Sequence, residues 1–290
     1  MSKQVYYFGC PQWTTPGWVG TLFSTKNRGR WLSEYSQVFN TVEGNTVFYG
    51  LPTRDTVQRW SQEVAPGFQF CLKFPRTISH ERQLVKAERE TADFLDRLAI
   101  LKEADHLGPS FLQLPPHFSG EHFDKLEAYL SSLPIEFTYA VDLRHLDYFD
   151  NGRCETQLNV LLKELNIDRV LFETEPLFSA APADEHEVHA QDRKPKVPSR
   201  ATTTGGRPFL RFVGRTDLTE IESWIERWTA ETAAWIEQGK TPYVFLHAPN
   251  QVDSATFAEV FHRSLQARIP RLPDLSEWPG RQVPQQTSLF

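Results

Sequence analysis

Apolar and polar positions along this chain fall into eight short β-rich runs at nearly even spacing: Val5 to Gly9, Thr41 to Asn45, Phe68 to Phe74, Phe111 to Pro115, Thr138 to Arg144, Arg169 to Thr174, Phe209 to Gly214 and Tyr243 to Ala248. Stretches of helical period lie between them. Thr53 to Val64 carries Val57, Trp60 and Val64, and Glu121 to Leu133 sets Phe123, Leu126, Tyr129 and Leu130 on one stripe. Asp217 to Gln238 starts with Asp217 as N-cap and Glu220 three residues on, then runs Ile221, Ile225, Trp228, Thr232 and Trp235 down one face. These tryptophans have the spacing a helix needs to cover a sheet, so they are expected to pack there.

Strands alternating with helices argue for parallel pairing through right-handed crossovers. Eight such units in 290 residues predict an α/β chain forming a single, somewhat irregular (β/α)8 TIM barrel. The barrel domain is expected over residues 1–275, with 276–290 as a C-terminal tail. One interval breaks the rhythm: Pro176 to Pro208, between the sixth and seventh strands, holds five prolines, a Gly205-Gly206 pair and at most one short helix. Loops of that length in a compact domain tend to serve function.

Composition narrows the setting. With 40% hydrophobic and 13% aromatic residues there is enough to fill a barrel and its helical jacket. No apolar run nears the roughly 20 residues that span a bilayer, and Met1 to Val5 shows no signal-peptide pattern. Cys10, Cys71 and Cys154 are odd in number and widely spaced. The expected setting is a reducing cytoplasm, without membrane attachment.

Barrels of this kind work at the carboxyl ends of their strands, and there the polar residues collect. Glu43 and Asn45 share one face of the second strand, and Asp142 and Arg144 one face of the fifth, because side chains two apart point the same way. Lys73 ends the third run, Gln113 the fourth, Glu173 the sixth, Arg211 the seventh and His247 the eighth. Polar groups in apolar runs are costly unless partnered. They meet that demand together at one mouth, as a binding site or as an internal lattice of Glu43, Asp142 and Glu173 with Lys73, Arg144 and Arg211.

The runs Gly9-Cys10-Pro11-Gln12-Trp13, Phe39 to Thr46, Lys73-Phe74-Pro75-Arg76-Thr77-Ile78-Ser79-His80, Leu112-Gln113-Leu114-Pro115-Pro116 and Val141-Asp142-Leu143-Arg144-His145 resemble, in order, the YecE-like family, number 72 among the domains of unknown function. The ending Pro284 to Phe290 resembles the YecE branch of that family. The resemblance implies a TIM-barrel fold and no agreed activity. It also implies recurrent polar positions at Trp13, Glu43, Asn45, Lys73, His80, Gln113, Arg144, His145 and Arg211. Asp142 stands where many members carry glutamate, Val213 where many place histidine, and His247-Ala248 where many have paired asparagines.

Charge adds two clues. The chain carries 31 basic and 37 acidic side chains, net −6, which opposes bulk attraction to nucleic acid. Yet Arg193 to Arg215 holds Arg193, Lys194, Lys196, Arg200, Arg207, Arg211 and Arg215 with no acid at all. It feeds the seventh strand, near where barrels often hold phosphate, and the Gly214-Arg215-Thr216 turn is expected to aim helix amides at an anion. The ending Gln286-Thr287-Ser288-Leu289-Phe290 resembles the short clamp-binding peptides of bacterial replication and repair proteins. Gln286, Leu289 and Phe290 are therefore expected to bind a sliding clamp, the alternative being a tail that folds back onto its own barrel.

Glu43, Asp142, His80 and His145 are the candidate acid–base groups, since crowding moves such pKa values toward neutrality. Trp13, Asn45, Lys73, Gln113, Arg144 and Arg211 are the candidate substrate-binding groups. A metal would need several of Glu43, Asp142, Glu173, His145 and His247 to converge on one ion. Lys73, Arg144 and Arg211 repel a cation, so no metal is assigned, and no cofactor is named. There is no G-x-S-x-G elbow; His186-Glu187-Val188-His189 is too short for a zinc-binding H-E-x-x-H helix, and Gly239-Lys240-Thr241 reads as the turn before the eighth strand. The expectation is an enzyme acting by acid–base chemistry on a phosphate-bearing or nucleic-acid-related substrate. The alternatives are a small-molecule isomerase or lyase, and a ligand-binding module without catalysis.

Overall fold

A computed structural model describes residues 4–282. Each of the eight apolar runs coincides with one strand: β1 (Tyr7–Gly9), β2 (Thr41–Gly44), β3 (Gln69–Leu72), β4 (Ser110–Gln113), β5 (Tyr139–Asp142), β6 (Asp168–Glu173), β7 (Phe209–Val213) and β8 (Tyr243–His247), with β4 and β6 starting one residue ahead of their runs. Between and after them lie α1 (Trp31–Val38), α2 (Arg54–Glu63), α3 (Glu88–Glu103), α4 (Phe123–Ser132), α5 (Arg153–Glu164), α6 (Glu185–Arg193), α7 (Glu222–Glu237) and α8 (Ser254–Arg268). Thr53 caps α2 by accepting from the Thr56 amide. Asp217 caps a short 3-10 turn, Leu218–Ile221, ahead of α7. The long interval before β7 contains α6, capped by Asp184. No described helix is long and apolar enough to cross a membrane.

All pairings are parallel, yet the ladder does not run through all eight strands as a closed barrel requires. Six strands form one curled sheet in the order β1-β8-β7-β6-β5-β4, and β2 pairs with β3 alone. Two seams separate these sheets. Between β3 and β4 there are single bridges at Phe70 with Leu107 and at Lys73 with Phe111, and the Phe74 amide donates to the Phe111 carbonyl at 3.0 Å.

Between β1 and β2 the Glu43 amide donates to the Cys10 carbonyl at 3.2 Å, and side chains add further links. The Tyr35 hydroxyl accepts from the Cys10 amide at 2.7 Å and donates to the Thr41 carbonyl at 3.0 Å. The Asn40 amide group accepts from the Phe8 N–H at 2.8 Å and donates to the Tyr6 carbonyl at 3.0 Å. Gly9 permits this approach, because a Cβ there would lie 2.0 Å from the Thr41 carbonyl oxygen.

The core divides in two. A large cluster between strands and helices includes Phe70, Leu112, Leu171, Leu210, Trp228 and Phe257. A separate cluster, Tyr7, Cys71, Phe111, Ala140, Val170, Phe209, Tyr243 and Phe245, gathers side chains from seven strands in the hollow of the curl. Trp228 and Trp235 are buried, as their spacing predicted. At its far end the described chain lies on the body: Trp278 is buried, and Arg281 pairs with Glu259.

Candidate functional site

Two residues beyond five members of the inner cluster, on the same strand face, the chain turns polar: Cys71 leads to Lys73, Phe111 to Gln113, Ala140 to Asp142, Phe209 to Arg211 and Phe245 to His247. Period-two geometry thus converts an apolar layer into a charged one at the carboxyl ends of the strands. Arg211 is its centre. Its Nε donates to Glu43 Oε1 at 2.6 Å, Nη2 to Glu43 Oε2 at 3.2 Å and Nη1 to Asp142 Oδ2 at 2.7 Å. Arg144 Nη2 donates to the same Asp142 oxygen at 2.5 Å, and its guanidinium stacks 3.4 Å from the Phe172 ring centroid. Gln113 Oε1 accepts from Lys73 Nζ at 3.0 Å and from both arginines at 3.4 Å.

The protonation states follow from these contacts. Burial alone would raise the Glu43 carboxyl, but Arg211 and His247 overcome it and hold Glu43 well below the usual carboxylate range. Burial pushes His247 down to about 4 despite Glu43, so the ring is neutral. Since an ionised carboxylate only accepts, the proton sits on Nε2, 3.2 Å from Glu43 Oε1. Asn45 completes the shell, donating to Glu43 Oε2 at 2.8 Å and to the Pro11 carbonyl at 2.9 Å. Burial also opposes the charge on Arg211, yet Glu43 and Asp142 more than restore it. Arg144 is brought down to about 10 by burial, with Asp142 opposing, and stays protonated at neutral pH.

Above this layer lies a cavity of about 560 Å³. Its wall includes Lys73, Gln113, Arg144, Phe172, Arg211 and His247 from the strand ends, Asn45 and Gln12 from the first two loops, and His189, Arg193 and Lys194 from α6 and the residue after it. The charged side chains on this wall are all basic. Asp142 lies beneath them, while Glu43 reaches only the wall of an adjoining slot of about 120 Å³ shared with Trp13, Thr46 and Tyr49. Burial followed by Arg211 pushes both Lys73 and Lys194 down to about 7.

Of the four candidate acid–base groups, none borders the main cavity. Glu43 and Asp142 are fully buried and ion-paired with guanidinium groups, although both arginines reach Asp142 through Oδ2 and its buried Oδ1 has no hydrogen-bond partner among the described residues. His80 sits on a π-helical turn, Thr77–Glu81, where it bonds Ser79 and packs edge-on against Phe48. Burial, then Lys73, lowers it to about 4. His145 caps the turn after β5 by accepting from the Asp147 amide at 3.2 Å. Of the six candidate binding groups, Asn45, Lys73, Gln113, Arg144 and Arg211 border the cavity, whereas Trp13 packs on Trp60 and Phe70 beside the slot. Gln286, Leu289 and Phe290 lie outside the described residues.

Glu173 does not join the mouth lattice, because Trp228 Nε1 at 2.9 Å, Ser199 Oγ at 2.6 Å and the Glu175 amide at 2.7 Å hold it on the outer side of β6. The anion site expected at Gly214-Arg215-Thr216 is filled from within the chain. Glu187 of α6 accepts from the Thr216 amide at 2.8 Å and pairs with Arg215 at 2.9 Å. Arg200 is likewise spent on Glu155, which it shares with buried Arg169. Of the basic run, Arg193, Lys194 and Arg211 face the cavity. His189 was missed as a wall residue, since only the pinning of α6 by Glu187 brings it there. Among the described residues no three His, Cys, Asp or Glu side chains gather in a metal-holding group.

Comparison with known proteins agrees with this architecture. The family model described as "Protein of unknown function DUF72" matches residues 7–282. The UPF0759 protein YecE of Escherichia coli K12 is 38% identical over 284 residues, covering 98% of this chain and 99% of the relative. A DUF72 family protein from Thermotoga maritima MSB8 superposes with a TM-score of 0.67 at 19% identity, covering 92% of this chain and 99% of that one. One from Enterococcus faecalis V583 gives 0.66 at 18% identity, covering 93% and 97%. These two likenesses speak for the fold alone. With its family model spanning nearly the full length and YecE matching end to end, the chain belongs to the DUF72 family.

Proposed function

We propose that the two sheets act together as one barrel and that the protein is an enzyme whose mouth receives the phosphate-bearing part of a small ligand. The observation that carries this is the sorting of charge: Lys73, Arg144, Arg193, Lys194 and Arg211 on the wall, with Glu43 and Asp142 withdrawn beneath it. Arg144 and Arg211 are already paired with the two acids, whereas Lys73, Arg193 and Lys194 meet no carboxylate among the described residues and repel one another unless an anion enters; a planar guanidinium also suits phosphate oxygens. The volume of about 560 Å³ falls within the range of small-molecule sites. It admits a nucleotide-sized ligand rather than a duplex, and the net charge of −6 opposes duplex binding as well.

Proton transfer in this reading falls to Lys73 and Lys194, whose ammonium groups titrate near neutrality, rather than to the buried, arginine-paired carboxylates. Recruitment to a sliding clamp through Gln286, Leu289 and Phe290 is a second, independent part of the proposal, supported by their order in the sequence.

Calorimetric titration with inorganic phosphate, pyrophosphate and nucleoside monophosphates tests the site. One or more should bind, and Lys73→Met or Arg144→Met should weaken binding roughly 10- to 100-fold, the worth of one charge-assisted hydrogen bond. Equal affinity in parent and variants, or no binding of any phosphorylated probe, would overturn the reading.

A further inference from the structure

Lys73 is held unlike the arginines around it. Its Nζ meets no carboxylate among the described residues; its hydrogen-bond partner is the neutral Gln113 Oε1 at 3.0 Å, which both arginines also approach. On another side the Phe48 ring centroid lies 3.9 Å away. The side chain is 7% exposed and opens only onto the cavity. Its backbone is fixed at the β3–β4 seam, where residue 73 bridges Phe111. Burial and two neighbouring guanidinium groups disfavour an ammonium in that place, and they outweigh the favourable Phe48 ring face and the pull of the non-bonded Asp142 and Glu43. Arginine cannot give up its proton, so on the strand-end wall the lysine is the cation able to present a lone pair.

We propose that Lys73 is a nucleophile that forms an imine with the carbonyl carbon of a phosphate-bearing aldehyde or ketone. This rests on the anion-site reading, with Arg144 and Arg211 holding the phosphate. The neutral Nζ attacks the carbonyl carbon, the C=O π pair moves to oxygen, and that oxygen takes up the proton released from nitrogen, giving a carbinolamine. Loss of water, with one proton taken from solvent or Lys194, leaves the protonated imine. The imine withdraws electrons from the neighbouring bond, so the reaction class is isomerisation or carbon–carbon cleavage next to the carbonyl. Gln113 is a positioning residue: as an amide it orients Nζ without stabilising its charge, which a carboxylate would do.

The test uses the full chain with pyridoxal 5′-phosphate as probe, at one equivalent, followed by borohydride reduction and peptide mapping by mass spectrometry. The reduced secondary amine should appear first at Lys73, be suppressed by excess inorganic phosphate and vanish in Lys73→Arg. In Gln113→Glu, checked for folding by circular dichroism, labelling at neutral pH should fall at least tenfold and recover at high pH, a shift that mere structural damage would not produce. Unphosphorylated pyridoxal should label more slowly. Adducts spread over surface lysines, or formed first at Lys194, overturn the assignment. Phosphate binding without an adduct at Lys73 sinks the imine and spares the anion site. Equal labelling by both aldehydes without phosphate protection does the reverse.

Discussion

Replacing Arg211 by methionine removes the group that neutralises two buried acids at once. Glu43 and Asp142 are both fully buried, and Arg211 reaches them at 2.6 Å and 2.7 Å. Breaking a buried ion pair by deleting one partner costs about 3–5 kcal/mol, because the remaining charge is left without compensation. Asp142 keeps Arg144, and Glu43 keeps only the neutral donors His247 and Asn45. The loss should therefore come mainly from Glu43 and lower the thermal midpoint on the order of 10 °C for a chain of this size.

Unfolding followed by circular dichroism across pH gives a second reading. In the parent, Glu43 titrates below its unfolded value, so its contribution is complete above about pH 4.3 and is lost as pH falls through the folded pKa. Without Arg211 the carboxyl is raised instead, and the gap between variant and parent should narrow on acidification. Adding Glu43→Gln to Arg211→Met should recover about half the loss or more. A single variant within about 1 kcal/mol of the parent at neutral pH would refute the reasoning.

Tyr35→Phe should cost roughly 2–4 kcal/mol in urea unfolding, since it strands the buried Cys10 amide and Thr41 carbonyl. Phosphate affinity should be strongest below neutrality and fall as pH rises through about 7, where Lys73 and Lys194 lose their protons. In the ligand-free protein the same two lysines bind fewer protons than the unfolded chain from about pH 7 to 10, so their effect on stability should rise across that window. Glu187→Ala should release α6, read as faster amide exchange over residues 183–194 and weaker phosphate binding, with little change in β4 to β6. Deleting Leu289 and Phe290 should abolish co-purification with a bacterial sliding clamp while leaving phosphate binding intact; equal recovery would discard that partner.

Much of this architecture is legible in the sequence because strand period does two jobs. The alternation that marks Phe209 to Val213 as a strand also sets Arg211 on the inner face. That same rule placed Glu43, Asp142, Gln113 and Lys73 together before any coordinates. It could not say which would be consumed. Arg211 pairs with both Glu43 and Asp142 because it crosses the hollow from β7 to β2 and β5, a distance in sequence that no local pattern reports. Glu173 looked equivalent to them, yet it lies two residues past Leu171 of the outer cluster rather than on the inner face, and Trp228 claims it. The basic run before β7 pointed toward the cavity, but the acid that occupies its turn, Glu187, comes from α6. The β1–β2 seam was hidden because Tyr35 and Asn40 look like ordinary helix-end residues until their side chains are seen completing backbone hydrogen bonds.

That seam has a mechanical consequence. β2 and β3 carry Glu43 and, just past β3, Lys73, yet they join the remaining six strands through a hydroxyl, a side-chain amide, isolated backbone hydrogen bonds and single bridges instead of continuous ladders. Isolated links yield more readily than repeated ones, so amide exchange is expected to be faster in this pair than in the six-stranded sheet. Arg211, on the six-stranded sheet, ties it to this pair through Glu43, so a ligand that draws on Arg211 is expected to be felt across the seam.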